Sequence, residues 1–279
     1  MKIAVTGANG YLGSGIVREL LNDGHDVVAV SRRTDNIDND AKIISKNIFD
    51  MENPFQEMGK PDVILHAAWQ DGFIHDSKRH IENLDKHVQF IDKLMKSDVK
   101  RISVLGTVHE IGFFEGSVDE NTSTNPITNY GIAKNAMRQV TESLAMKYNK
   151  QFQWIRAFYI VGDKDMMDFD KSVFGKVVRA ASDGKTVFPF VEGKNQFDFI
   201  DYQDFVRNVI LTITQSKIHG IINVSSGRPE PILQRMERFL IDNDLTIKLD
   251  VGAFPDRPYD AKAIWGNSAK LDAIIGENL

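Results

Sequence analysis

The sequence contains no cysteine among its 279 residues. That absence excludes a disulfide scaffold, thiolate zinc or iron–sulfur sites, and a cysteine nucleophile. Long apolar runs are also missing, because no stretch approaches the ~20 residues of a membrane span. Gly7 follows the N-terminus too closely for the apolar core of a secretory signal. We therefore expect a cytoplasmic protein that does not enter a membrane.

An excess of positive charge is missing as well. The formal net charge is −5, and the chain has no basic run. This balance argues against a nucleic-acid partner. The seven histidines are not spaced as metal ligands, and with no cysteine available we expect no metal site. Glycine and proline, at 20 and 8 residues, are too few for a disordered composition.

Short β-rich segments alternate with amphipathic helical segments through about residue 160. The predicted strands are 2–6, 27–30, 63–65, 102–105 and 152–155, and the predicted helices are 12–21, 81–95 and 129–148. This alternation predicts an α/β fold with a Rossmann-type, doubly wound parallel sheet. We assign residues 1–162 to a cofactor-binding domain, to which the chain returns around 197–226. Residues 163–196 and 227–279 form a smaller substrate-binding lobe in this prediction.

A glycine-rich turn separates the first strand from the first helix. It reads Thr-Gly-Ala-Asn-Gly-Tyr-Leu-Gly, and its three glycines are spaced three residues apart. Such a turn lets backbone N–H groups approach a pyrophosphate at the N-terminus of a helix. The predicted cofactor contacts in this turn are Gly7, Asn9, Gly10, Tyr11, Leu12 and Gly13.

The end of the second strand bears on the choice between NAD and NADP. An acidic residue at this position favours NAD, whereas a cation accommodates the 2′-phosphate of NADP. The chain reads Ser31-Arg32-Arg33 here, and no carboxylate occurs before Asp35. The pattern favours NADP bound by Ser31, Arg32 and Arg33, with NAD and a solvated basic loop as the alternatives.

Three residues make a candidate catalytic group. Tyr130 and Lys134 lie one helical turn apart on the same face of a predicted helix. Thr107 follows a predicted strand, at the edge of the sheet where active sites of open α/β folds lie. A neighbouring ammonium favours the phenolate, whose ordinary pKa is near 10. We predict that Tyr130 acts as the acid–base and that Thr107 hydrogen-bonds the substrate oxygen.

With these motifs in order, the sequence resembles the extended short-chain dehydrogenase/reductase family, in its NAD(P)-dependent nucleotide-sugar epimerase/dehydratase/reductase branch. The glycine turn, Thr107 and the Tyr-x-x-x-Lys pair match motifs of that family, and the segment 62–69 matches a strand that lines the cofactor. The resemblance implies that Tyr130 and Lys134 also contact the cofactor. It implies further cofactor-site residues at Asn47, Ile48, Ala67, Ala68, Trp69 and Asn83.

The resemblance also implies substrate contacts. Tyr159 stands where the family often has an asparagine that contacts the substrate diphosphate, and Arg257 matches an arginine that pairs with a phosphate. Trp69 and His109 follow strand ends near the expected sugar site, although a solvated loop is the alternative for His109. Phe188 and Phe190 fit either a nucleobase stack or a core strand.

The family resemblance implies a reductase. The 4,6-dehydratases of the family carry Asp-Glu directly after the catalytic threonine, whereas Thr107 is followed by Val108-His109. We predict hydride transfer from NADPH or NADH to a keto group, at C4 of a deoxysugar linked to a nucleoside diphosphate. The alternatives are a 4-epimerase with tightly bound NAD, a reductase of a non-sugar carbonyl, and a non-catalytic cofactor sensor. The resemblance further implies a homodimer and a role in polysaccharide biosynthesis.

Overall fold

The computed structural model describes residues 1–162, 164, 172–255 and 261–277. The strands in chain order are β1 (Lys2–Thr6), β2 (Asp26–Ser31), β3 (Lys42–Ser45), β4 (Val63–His66), β5 (Arg101–Thr107), β6 (Gly116–Val118), β7 (Gln151–Ala157), β8 (Tyr159–Val161), β9 (Val187–Val191), β10 (Gln196–Phe197), β11 (Phe199–Asp201), β12 (Gly220–Val224), β13 (Glu230–Pro231), β14 (Lys248–Phe254) and β15 (Ala263–Gly266).

The helices alternate with these strands through the first half of the chain. They are α1 (Tyr11–Asn22), α2 (Pro54–Glu57), α3 (Arg79–Glu82), α4 (Leu84–Met95), α5 (Asn129–Tyr148), α6 (Val173–Ser182), α7 (Tyr202–Thr214), α8 (Ile232–Asp242) and α9 (Ala269–Gly276). Within the described residues, no helix combines the length and the apolar character needed to cross a membrane.

Seven strands form one parallel sheet in the order β12-β7-β5-β4-β1-β2-β3. The direction of winding reverses beside β1, which pairs with β2 on one side and β4 on the other. A crevice opens at such a reversal, outside the carboxyl ends of the strands. The prediction of a Rossmann-type doubly wound fold is confirmed.

Both faces of this sheet are covered, which explains why its strands are almost continuously apolar. Successive residues of a strand point to opposite faces. Ile3 therefore packs into a cluster with residues of α1 and α7, whereas Ala4 packs into a cluster with residues of α4 and α5. The helix α5, which carries the candidate tyrosine and lysine, is thus held on one face by its buried residues Met137 and Ala145.

The predicted helix 81–95 is two helices in the structure. α3 ends at Glu82 and α4 begins at Leu84, with Asn83 between them. The Asn83 side chain donates a hydrogen bond from Nδ2 to Gln70 Oε1 at 3.3 Å. Asparagine is a poor residue for a helix interior because its side chain bonds polar groups outside the helix. The break turns Asn83 towards the loop that follows β4.

The second half of the chain builds a separate core and smaller sheets. Side chains of α6, β9 and α8 share a hydrophobic cluster, and β9 pairs with β14. The segment 196–201 forms two short strands, β10 and β11, which belong to different sheets. Asp198 lies between them, fully buried, and accepts hydrogen bonds from the backbone of Gly227 at 3.0 Å and Gly266 at 2.9 Å. The domain boundaries remain a prediction.

Candidate functional site

A cavity of about 890 Å³ opens at the carboxyl ends of the central strands. Most of the predicted site residues line it. They are Gly7, Asn9, Gly10, Tyr11, Leu12, Gly13, Ser31, Arg32, Arg33, Asn47, Ile48, Ala67, Ala68, Trp69, Asn83, Thr107, His109, Tyr130 and Lys134. Within the described lining, Tyr159 is absent although its neighbours Phe158 and Ile160 are present. Arg257 lies outside the described residues.

The glycine turn has the geometry of an anion cradle. Gly7 adopts a positive φ of 72°, and a Cβ there would lie 2.7 Å from the backbone of Ala68. A Cβ on Gly13 would lie 2.2 Å from the Gly7 carbonyl oxygen. The N–H groups of the first turn of α1 have no intrahelical acceptor, and among the described residues no side chain caps them. These residues fit the pyrophosphate of a dinucleotide.

The end of β2 carries positive charge towards the same cavity. Arg32 and Arg33 both line it, and Arg33 Nε lies 3.9 Å from Asp35 Oδ1. Asn9 anchors this loop to the glycine turn, because its Oδ1 accepts a hydrogen bond from the Asn36 backbone N–H at 2.7 Å. Asn47 also lines the cavity, and its Oδ1 caps a short 3-10 turn by accepting a hydrogen bond from the Phe49 N–H at 3.2 Å.

Thr107 lies at the end of β5, where its chain turns into a 3-10 segment, Val108–Glu110. Its Oγ1 accepts a hydrogen bond from the His109 backbone N–H at 3.2 Å. Behind this turn, Glu110 is fully buried and accepts from Trp154 Nε1 and Arg156 Nε, each at 2.8 Å. The buried carboxylate and its two donors therefore fix the position of the turn that presents Thr107.

Gly106 leaves the space that this network needs. A Cβ on Gly106 would lie only 2.1 Å from the Trp154 Nε1 atom. A larger residue would therefore displace the indole that donates to Glu110.

Lys134 is buried and holds its ammonium between two neighbours. Its Nζ donates to the Leu105 carbonyl oxygen at 2.8 Å, and it lies 3.9 Å from the centre of the Trp69 ring. An ammonium over an indole face is favourable, and more so when water is excluded. Burial nevertheless lowers the pKa of Lys134 to about 7.

The pKa of Tyr130 moves opposite to our expectation. Burial raises it to about 12, the Glu110 charge adds to the rise, and a hydrogen bond with Thr107 opposes it. The expectation of a lowered pKa assumed an ammonium acting on the phenolate, whereas Lys134 donates to the Leu105 carbonyl. The protein by itself thus keeps the Tyr130 phenol protonated, in the form that donates a proton.

Five histidines surround this catalytic group, and the sequence patterns did not predict their grouping. The Trp69 ring stacks on His87 with centroids 4.4 Å apart, and the Tyr130 ring lies 5.2 Å from His80 and 5.3 Å from His75. His66 contacts His87, and His109 contacts His75. In the part of the chain that is described, no group of three or more ligands is arranged to hold a metal ion.

Three of these histidines have hydrogen-bond partners within the protein. His80 Nδ1 accepts from Trp69 Nε1 at 3.0 Å, and its Nε2 lies 2.9 Å from the Ile74 carbonyl oxygen, to which it donates. His66 bridges Thr6 Oγ1 at 2.9 Å and His87 Nδ1 at 3.0 Å. Burial lowers the pKa of His66 and that of His87, the latter to about 3. His66 and His87 are therefore neutral, and all three imidazoles make their hydrogen bonds within the protein.

The remaining aromatic residues close the far side. Tyr159 is half-buried and packs on Phe197, with ring centroids 4.9 Å apart, and on His109 at 6.1 Å. It therefore supports His109 from behind. Phe190 is buried in the core that α6, β9 and α8 share, and Phe188 packs against that core. Phe188 and Phe190 thus belong to a core strand, which was one of the two alternatives for them.

Comparisons with known proteins identify the family of the chain. A model of the NAD dependent epimerase/dehydratase family matches residues 3–225. The chain is 37% identical over 272 residues to a dTDP-6-deoxy-L-talose 4-dehydrogenase (NAD(+)) from Aggregatibacter actinomycetemcomitans, in a match that covers 95% of this chain and 99% of that protein.

Solved structures share the fold at lower sequence identity. A UDP-N-acetylglucosamine 4-epimerase from Methanobrevibacter ruminantium superposes with a TM-score of 0.82 at 21% identity, over 98% of this chain and 91% of that one. A UDP-glucuronic acid 4-epimerase from Bacillus cereus, in complex with UDP-glucuronic acid and NAD, gives 0.83 at 19% identity, over 99% and 93%. At these identities the likeness establishes the fold.

Proposed function

The chain belongs to the NAD dependent epimerase/dehydratase family, and from that premise we propose that it interconverts a keto group and a hydroxyl at C4 of a nucleotide-linked 6-deoxysugar. The observation that carries the proposal is the convergence of Thr107, Tyr130 and Lys134 on the cavity that the glycine turn borders. The similarity to a dTDP-6-deoxy-L-talose 4-dehydrogenase along nearly the whole chain supports the choice of sugar.

The residues supply the acid–base part of the reaction. A nicotinamide cofactor, when bound, supplies or takes up the hydride. In the reducing direction the Tyr130 hydroxyl gives its proton to the carbonyl oxygen, and its high pKa keeps that proton available. Thr107 Oγ1 donates a hydrogen bond to the same oxygen and orients it. In the oxidising direction the proton returns from the sugar hydroxyl to the Tyr130 oxygen.

Lys134 holds the cofactor ribose in this proposal. An ammonium has three donors, of which one reaches the Leu105 carbonyl oxygen and the Trp69 face lies beside it. The remaining hydrogen-bonding capacity of Lys134 serves the ribose hydroxyls.

The cofactor is NAD(H), and we propose that the site accepts NADP(H) as well. NAD is the cofactor of the dehydrogenase relative and is bound in an epimerase of the same fold. The case for NADP is that Arg32 and Arg33 line the cavity, at the strand end where the ribose lies in such folds. Both side chains are largely exposed, so water screens their charge. The two arginines should therefore strengthen the binding of NADP only modestly.

We further propose a homodimer that packs through α5. Ile132 is 42% exposed and Met146 is 74% exposed. Their separation of 14 positions returns to nearly the same side of a helix with about 3.6 residues per turn. Light scattering of the purified protein tests this: a monomer mass at micromolar concentration contradicts it.

The enzymatic proposal is tested by cofactor consumption. The purified protein is incubated with NADH or NADPH and a panel of ketosugars linked to dTDP, UDP, GDP and CDP, and nicotinamide absorbance and sugar product are both measured. We expect one cofactor oxidised for each sugar reduced. Product formed without net cofactor consumption identifies an epimerase, and no turnover with any nucleotide sugar rejects the proposed substrate class.

A further inference from the structure

His75 lies where the loop after β4 meets the catalytic helix. Its ring stacks on the Tyr130 ring, with centroids 5.3 Å apart and planes inclined by 14°. Its ring centroid also lies 4.3 Å from that of His109, which follows Thr107 on the neighbouring strand end. The two imidazoles thus flank the acid–base residue from two different elements.

The backbone fixes this position of His75. The His75 carbonyl oxygen accepts the Tyr130 backbone N–H at 2.8 Å, and Asn129 Nδ2 donates to the Asp76 carbonyl oxygen at 3.0 Å. The Tyr130 N–H belongs to the first turn of α5, where no intrahelical acceptor exists. The loop after β4 therefore supplies a cap for the catalytic helix, and the His75 side chain is carried with it.

The two imidazoles differ from the other three in their hydrogen bonding. His66, His80 and His87 each bond a group within the protein. Among the described residues, no polar group bonds an imidazole nitrogen of His75 or His109, although both rings line the cavity. Both residues are half-buried, so these nitrogens are open to the cavity and keep their capacity to donate or accept a hydrogen bond from a ligand.

The charge of His75 and His109 indicates which chemical group they bind. Burial lowers the pKa of His75, and lowers that of His109 to about 3, so both rings are neutral at physiological pH. A neutral imidazole has one donor and one acceptor, which matches a hydroxyl group. A diphosphate is better matched by guanidinium or ammonium groups.

We propose that His75 and His109 recognise the ring hydroxyl groups of the sugar at C2 and C3, of which the C3 hydroxyl is next to the reacting carbon. The inference rests on the proposed function and assigns these two residues to substrate specificity within it. Tyr130 and Thr107 hold the reacting oxygen, while His75 and His109 select the sugar by its remaining ring hydroxyls.

Phenylalanine variants separate hydrogen bonding from packing. His75→Phe keeps a flat ring that can stack on Tyr130 and removes both nitrogens, and His109→Phe does the same beside it. We expect each variant to raise KM for the nucleotide sugar about tenfold, because a substrate hydroxyl is left unpaired. We expect kcat and the KM for the cofactor to change less than about threefold. The matched control is His25→Phe, because His25 directly precedes β2 at its amino end, away from the cavity.

A nucleotide sugar that lacks the hydroxyl at C2 or at C3 gives the second readout. Wild-type protein should bind the deoxy analogue about tenfold more weakly than the parent nucleotide sugar, and the variant that lost the partner imidazole should bind both alike. The free nucleoside diphosphate serves as a reference ligand, and its affinity should be unchanged in both variants. Calorimetric titration measures all three ligands.

Two outcomes overturn the inference. Unchanged KM and unchanged discrimination in both phenylalanine variants would show that the imidazoles do not contact the sugar. An equal loss of affinity for the nucleotide sugar and the free nucleoside diphosphate would assign the pair to the diphosphate. Failure of the proposed function is distinct from both, because the wild-type protein itself would then turn over no ketosugar. Circular dichroism and thermal unfolding establish that each variant is folded.

Discussion

The two halves of the cavity are built in different ways. The cofactor half is formed largely by backbone: Gly7 and Gly13 leave no room for side chains, and the first turn of α1 presents N–H groups. The sugar half is formed by side chains, with His75 and His109 around the Tyr130 ring. The cofactor half requires glycine because a side chain would not fit there, whereas the sugar half requires particular side chains.

From that difference we expect the cofactor half to tolerate few substitutions and the sugar half to tolerate more. A backbone cradle serves any dinucleotide, since every such cofactor carries the same pyrophosphate. Side-chain donors and acceptors distinguish one sugar from another, because an unpaired hydroxyl in a buried site is costly. We therefore expect substitutions of the catalytic residues to have the largest effect on activity. Substitutions in the cofactor half should remove cofactor binding, and substitutions in the sugar half should change the selectivity for the sugar.

The largest effect is expected at the boundary between the halves. Tyr130→Phe removes the proton donor, and we expect kcat to fall about 10²- to 10⁴-fold while the cofactor Kd stays within about twofold of wild type. Tyr148→Phe, at the other end of the same helix, is the control and should leave kcat unchanged. A Tyr130→Phe enzyme with a near-normal rate would reject the assigned acid–base role.

A pair of glycine substitutions tests the backbone cradle. Gly7 and Gly24 have similar positive φ angles of 72° and 76°, but only at Gly7 would an added Cβ atom meet backbone atoms within 4 Å. Gly24→Ala should therefore cost only the strain of a left-handed residue, about 1–2 kcal/mol. Gly7→Ala adds a steric clash, and we expect a loss of about 3 kcal/mol or more together with the loss of cofactor binding.

Urea unfolding and a cofactor titration of the two variants measure these losses. Equal destabilisation by Gly7→Ala and Gly24→Ala, with the cofactor affinity retained in both, would contradict the cradle.

The buried residue His87 makes the stability of the protein depend on pH. His87 has a folded pKa of about 3, far below the ordinary value of about 6.5, so the unfolded chain binds its proton first as the pH falls. The stabilisation from neutral His87 is thus complete above about pH 6.5 and is lost below it, at up to about 1.4 kcal/mol per pH unit.

Urea unfolding of wild type and His87→Gln, followed from about pH 7.5 down to about pH 5, measures this contribution. The variant should show a shallower fall in the free energy of unfolding than wild type. Identical slopes would mean that His87 has the same pKa in the folded and the unfolded protein.

The smallest effect is expected at the edge of the cofactor half. Arg32→Ala should weaken NADP binding about three- to tenfold and leave NAD binding nearly unchanged, because only NADP offers a 2′-phosphate. The effect is modest because the arginine is exposed to solvent, which screens its charge. The measurement is the ratio of kcat/KM for the two reduced cofactors. An equal change for both cofactors would show that Arg32 does not recognise the 2′-phosphate.

The cofactor half could be predicted from the sequence because its physical demands limit residue types. Only glycine fits at Gly7 and Gly13, so their spacing between a strand and a helix is a signal. The fold followed from the alternation of apolar strands and amphipathic helices. The break at Asn83 was missed because the apolar spacing continues across it, and only the contact with Gln70 reveals it.

The sugar half could not be predicted in the same way. His75, His80 and His109 come from the segment after β4 and from the turn after β5, and no spacing rule connects them. Their proximity depends on tertiary contacts such as the bond from the Tyr130 N–H to the His75 carbonyl. The rise in the pKa of Tyr130 was missed for a similar reason, since burial and the direction of Lys134 are not visible in a motif.

The most direct test of the central claim follows the transferred hydrogen. The enzyme is supplied with NADH deuterated at the hydrogen that is transferred and with a nucleotide-linked 4-ketosugar, and the product is analysed by NMR and mass spectrometry. We predict deuterium at C4 of the sugar, in the same amount as the cofactor oxidised. Product with no deuterium, or with deuterium at another carbon, would contradict the assignment.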